Sequence, residues 1–217
     1  MSTTTTPAPT EPWFGARYGQ TWRDYDRALA ERDRLGRRYR ITYDRGVLEV
    51  MPVSAPHAKW QSLIAGLLIA FAMAKNIPVA SLGPWTCRRE ELDRGLEPDW
   101  SYDIQNEPRV RGRLDIDIET DPPPDLVIEV EMTRTVINRL GLLAALGVPE
   151  VWRYDGEHLT VLVLGPDGQY APAAASRALP TLPPDEVVRR LEAWGTTDET
   201  TWLNDWQAWV RANVVSY

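Results

Sequence analysis

PDLVIEVEM, running from Pro124 to Met132, is the stretch on which the fold turns. Leu126, Val127, Ile128 and Val130 make an apolar, largely β-branched run preceded by three prolines, which reads as a buried strand. Downstream, Thr135 to Leu146 has helical periodicity and stops at Gly147 and Pro149, as a helix end requires. EVWRYDG (150–156) and HLTVLVLG (158–165) then predict a hairpin turning at Asp155 and Gly156. Upstream lie short strands at IPVASLG (77–83) and WTCRRE (85–90), and another in LEPDWSYDI (96–104) starting just after Pro98. The charged, proline-rich stretch from Gln105 to Pro124 reads as a surface loop, with a brief strand at LDIDIE (114–119).

Farther out, TWRDYDRALAERDRLG (21–36) places Trp22, Tyr25 and Leu29 at helical spacing, and RRYRITYDRGVLEVMP (37–52) alternates as a β-hairpin around its DRG turn. Pro56 to Lys75 is apolar nearly all round its second half, the signature of an interior helix. Pro183 to Val215 predicts two amphipathic helices with Trp194, Trp202, Trp206 and Trp209 turned inward. This order of helices and strands implies an α/β fold, a mixed sheet flanked by helices, with no internal repeat. Residues 1–20 are expected to be a disordered tail. Residues 21–217 form one domain with a helical extension from about residue 183.

Composition narrows the function classes. With one cysteine, Cys87, no intramolecular disulfide can form, and a reducing, cytoplasmic setting is the expectation. The opening MSTTTTPAPTEP has neither the cationic start nor the apolar core of a secretion signal. The apolar stretch Leu63 to Ala74 is too short for the roughly 20 residues that cross a bilayer, so no membrane partner is expected. The net charge of −7 has the wrong sign for a protein that grips nucleic acid chiefly through phosphates, although carboxylates gathered for a divalent metal also lower the net charge. No glycine-rich phosphate loop, Ser/His/Asp set or Cys/His pair appears.

Acids inside apolar strands need explanation, because an isolated buried carboxylate is costly. Glu49 lies in GVLEVMP, Asp99 in PDWSYDI, and Glu129 and Glu131 share one face of PDLVIEVEM, with Asp125 on the same side by alternation. Such a set forms a hard-oxygen pocket suited to Mg²⁺ or Mn²⁺, whereas zinc would find only His57, His158 and Cys87. The same alternation also fits a half-exposed edge strand. His57, directly after Pro56 at the start of the core helix, could touch a substrate phosphate or cap the helix end.

GVLEVMP, His57, REELDRGLEPDWSYDI, PPDLVIEVEMTRT and LAALGVPEVWRYDG together resemble the Uma-two family of restriction endonucleases, placed in the PD-(D/E)XK superfamily. The resemblance spans about Trp22 to Val210 and implies a restriction-endonuclease-like αβββαβ core. It implies metal held by Asp99 and Glu129, and by Glu49 from the early hairpin that supports the site. The superfamily lysine, moved onto the following helix, corresponds to Arg139, where relatives carry lysine, and Leu143 stands where they carry tyrosine. Arginine keeps the charge but cannot shed a proton to activate water. The implied activity is Mg²⁺- or Mn²⁺-dependent hydrolysis of DNA, with Glu131 assisting, Arg139 offsetting phosphate charge, and a homodimer possible. Two other readings stay open: a catalytically weakened nuclease fold that binds nucleic acid or a protein partner, and a phosphodiesterase for small substrates.

Overall fold

A computed structural model of the chain describes residues 13–114, 116–132 and 135–215. Strand β1 (Gly15–Tyr18) leads into helix α1 (Trp22–Arg34), whose start is set by a capping box between Thr21 and Asp24. The hairpin forms as β2 (Tyr39–Asp44) and β3 (Val47–Pro52). It turns through Arg45 and Gly46, both at positive φ (42° and 92°), the geometry that matches strand twist. Helix α2 (Ala55–Lys75) is capped by the Ser54 side chain and ends at Asn76 in the left-handed conformation. There follow β4 (Ala80–Ser81), β5 (Cys87–Arg89), β6 (Arg94–Leu96), β7 (Trp100–Asp103), the single-turn α3 (Glu107–Val110) and β8 (Leu126–Val130). The chain closes with α4 (Arg139–Ala145), β9 (Glu150–Tyr154), β10 (Leu159–Leu164), β11 (Tyr170–Pro172), α5 (Pro184–Glu192) and α6 (Glu199–Asn213).

The strands divide into two sheets, where one mixed sheet was expected. One has the order β1-β3-β2-β6-β5 and is antiparallel throughout; the other runs β11-β10-β9-β8-β7-β4 and is mixed, because β8 and β9 pair in parallel across α4. The physical reason lies at Glu97-Pro98-Asp99. Proline cannot donate to a ladder, so the chain leaves the first sheet at Leu96 and re-enters the second at Trp100.

Burial follows alternation. On β8, Leu126, Ile128 and Val130 pack with α2, α5 and α6, while Val127 joins Leu142, Leu143, Cys87 and Leu96 on the α4 side. Helix α2 is wrapped by the C-terminal helices, and Trp206 donates from Nε1 to the Leu67 carbonyl at 2.9 Å. Tyr25, Ile41, Tyr43 and Leu48 fill a separate core between α1 and the first sheet. Among the described residues no helix is long and apolar enough to cross a membrane.

Four local expectations are corrected. The tail of 1–20 includes β1, which is held as an edge strand by pairing from Gly15↔Val50 to Tyr18↔Val47; residues 1–12 lie outside the described residues. No strand forms among the described residues of LDIDIE, where local contacts such as the Glu119 amide to Asp117 Oδ1 (3.0 Å) satisfy the backbone. Helix α4 begins at Arg139, not Thr135, since Asn138 caps it by accepting from the Gly141 amide at 3.0 Å. Trp194 is 38% exposed, stacked edge-on against Trp60 at the protein surface.

Candidate active site at the sheet junction

The passage between sheets creates the site. Antiparallel pairing of Trp100 with Ile128 puts Asp99 across from Glu129 at the end of the ladder, and the Val130 amide donates to Asp99 Oδ2 at 2.6 Å. Both carboxylates are buried. They line a cavity of about 410 Å³ together with Arg40 and Thr42 from β2, His57 from the first turn of α2, and Arg139 from the start of α4. Met51, Val53 and Met132 form its apolar rim.

Each carboxylate is matched by a guanidinium. Arg139 binds Glu129 with both ends of its fork, Nε to Oε2 at 2.8 Å and Nη2 to Oε1 at 2.9 Å. Its remaining donors reach Thr42 Oγ1 (3.0 Å) and the Glu97 carbonyl (2.9 Å). Burial is the largest single influence and pulls the Arg139 pKa down, but the charge and hydrogen bonds of Glu129, with the charges of Glu49 and Glu97, together outweigh it and the pKa is raised. Arg40 pairs with Asp99 Oδ1 and donates to Gln61 Oε1 at 3.2 Å. Gln61 in turn donates to the Asp99 carbonyl. Burial lowers the Arg40 pKa to about 10, with the like charge of Arg139 adding to the effect, so it stays cationic at neutral pH.

His57 Nε2 stands 2.8 Å from Asp99 Oδ2 and 2.9 Å from Arg40 Nη1. Burial, then the charges of Arg40 and Arg139, lower its pKa to about 4, so the ring is neutral at pH 7. A neutral ring serves these neighbours in alternation, donating to the carboxylate in one tautomer and accepting from the guanidinium in the other.

The other acids of the sequence divide by function. Glu49 is buried, but its carboxylate accepts from the Thr135 hydroxyl and from the Val136 amide at 2.8 Å. It therefore anchors the chain leading into α4 and positions Arg139. Glu131 lies on the cavity rim, exposed, 3.6 Å from Arg153. Asp125 leaves the group altogether. It accepts from the Ile104 and Asn106 amides, each at 2.8 Å, at the opposite end of β8, where burial and then its own charge push Asp103 up to about 7.

Arg40, Thr42, Gln61 and Glu97 are site residues that the sequence reading passed over. A signal existed for two of them. Arg40 and Thr42 share the face of β2 opposite Ile41 and Tyr43, and Thr42 pairs directly with Glu49, so the polar face of the hairpin was marked to meet other charged groups.

Among the described residues no three His, Cys, Asp or Glu side chains gather closely enough to cage a metal unaided. A magnesium-type ion needs less, one or two carboxylates completed by water and substrate oxygens. Asp99 and Glu129 supply that donor set. Buried Asp99 Oδ1 also receives no hydrogen bond and has only the ion pair to Arg40, so the residues present fit a hard divalent cation.

One solved structure aligned with the chain is described as a putative nuclease belonging to DUF820 from Anabaena variabilis; identity is 16%, the alignment covers 77% of this chain and 90% of that chain, and the TM-score is 0.45. No curated protein matches. The family described as "Putative restriction endonuclease" matches over residues 22–197, more than half of the length. The chain belongs to this family, Uma2.

Proposed function

We propose that the chain is a metal-dependent endonuclease that hydrolyses phosphodiester bonds of DNA, using Mg²⁺ or Mn²⁺. The observation that carries this reading is the meeting of Asp99 and Glu129, from adjacent strands, over a cavity that also presents two guanidinium groups. Asp99 and Glu129 would hold the cation, and Glu49 would act at one remove by fixing the start of α4. When bound, the divalent ion supplies Lewis acidity toward the phosphate and lowers the pKa of attacking water. Arg139 offsets charge building on the phosphate in the transition state. His57, neutral at pH 7, can take up a proton at Nε2, and Glu131 on the rim can accept one from water at a carboxylate oxygen. A double-strand cut by one such domain calls for two copies, which is the reason to expect a dimer on DNA.

The test is cleavage of plasmid DNA with Mg²⁺ or Mn²⁺ by wild type, Asp99→Asn and Glu129→Gln. Loss of about a hundredfold or more in each variant is expected, the scale of removing a group that acts in the transition state. Equal activity in all three would take these acids out of the mechanism. Metal binding without any cleavage by wild type would favour a non-cleaving nucleic-acid binder, a reading that the arginine pairing of both carboxylates supports.

A further inference from the structure

The two arginines of the cavity are held very differently. Arg139 is fixed by four hydrogen bonds, two of them a charged fork on Glu129. Arg40 is ion-paired with Asp99 Oδ1, donates to Gln61 at 3.2 Å and meets a His57 nitrogen that also faces Asp99. The like charge of Arg139 repels it, while the charges of Glu129 and Glu97 attract it. In this arrangement Arg40 occupies the open side of Asp99, where an incoming cation would have to bind. A divalent ion and the Arg40 guanidinium therefore compete for one carboxylate oxygen. A backbone phosphate, like a carboxylate, presents two terminal oxygens that share one negative charge, and a guanidinium donates to either as a two-point partner.

We propose that Arg40 is a phosphate-binding residue whose resting partner is Asp99: a backbone phosphate of nucleic acid entering the cavity takes Arg40 from Asp99 and so opens that carboxylate to the divalent cation. Metal and phosphodiester then bind with positive coupling, and by linkage each strengthens the other to the same degree. This rests on the reading that Asp99 and Glu129 are the metal-holding acids. It assigns a role to a residue outside that set. Arg40 has two hydrogen bonds beside its ion pair where Arg139 has four, so Arg40 is the one to move while Arg139 stays on Glu129.

The experiment is a Mn²⁺ titration followed by electron paramagnetic resonance and calorimetry, with and without a short phosphorothioate DNA duplex that resists hydrolysis. In wild type the duplex should raise Mn²⁺ affinity by about tenfold, within the usual range of coupling between two ligands. In Arg40→Gln, Mn²⁺ alone should bind about tenfold more tightly than in wild type, and the duplex should add little. Equal Mn²⁺ affinity in wild type with and without the duplex overturns the coupling, and this arm needs no substitution to fold. Unchanged or weaker Mn²⁺ binding in Arg40→Gln, alongside its loss in Asp99→Asn, overturns the role of Arg40 and leaves the metal assignment standing. No saturable Mn²⁺ binding in any form overturns both.

Discussion

Glu129 and Arg139 form the best-made polar contact of the site, and its energetics follow from burial. Side-chain exposures of 7% and 15% leave neither charge much water, so each depends on the other. Arg139→Met is expected to cost about 3 kcal/mol, since a buried carboxylate is left without its cation. Adding Glu129→Gln to that variant should restore a large part of the loss, because no uncompensated charge remains. Urea denaturation of the two single variants and the double variant measures the coupling; additive losses would show that the pair is not energetically linked. Residues of this kind were legible in the sequence because an acid within LVIEV violates the pattern of a buried strand. Arg40 carried only an ambiguous signal, because alternation of Arg40 and Thr42 with Ile41 and Tyr43 reads equally well as a solvated hairpin face. Only the docking of the second sheet turns that face inward, and docking has no local sequence signature.

Elements were easier to read where their ends carry chemistry. Helix α2 and the β2–β3 hairpin fall where Ser54, Asn76 and Gly46 place them. Helix α4 is shorter than its apolar periodicity because Glu49, remote in sequence, captures Thr135 and Val136 and holds them out of helical conformation. Strand β6 shows how tightly the first sheet and α1 are matched. Gly95 pairs with Tyr43, and a β-carbon there would lie 2.4 Å from the Tyr25 hydroxyl oxygen and 2.6 Å from its ring. Tyr25 cannot yield, being fully buried and stacked on Tyr43 at 5.4 Å between ring centres. Gly95→Ala should therefore destabilise the protein by about 1–3 kcal/mol, the scale of overpacking, despite alanine's better strand propensity. A melting temperature equal to or above that of wild type would contradict this steric account.

At the scale of the whole molecule, the division into two sheets was the least legible feature. The strands themselves were mostly found, but their assignment depends on pairings such as β2 with β6 and β8 with β9, which join segments far apart in the chain. Charge is legible from composition alone, and it constrains how nucleic acid could be held. With a net charge of −7, and with Arg139 committed to Glu129 and Arg40 resting on Asp99 inside a cavity, the chain lacks the excess of cations that anchors a protein on phosphates. Affinity for DNA should then come from a few contacts within the site and from the divalent ion, so few counterions are released on binding. Fluorescence anisotropy with a phosphorothioate duplex in Mg²⁺, over KCl from about 50 to 200 mM, should show a loss of less than about tenfold. A protein neutralising six to ten phosphates loses about a thousandfold or more over the same interval. A loss of that size would mean that many phosphates are contacted outside the cavity, and the cavity would no longer be the principal point of attachment.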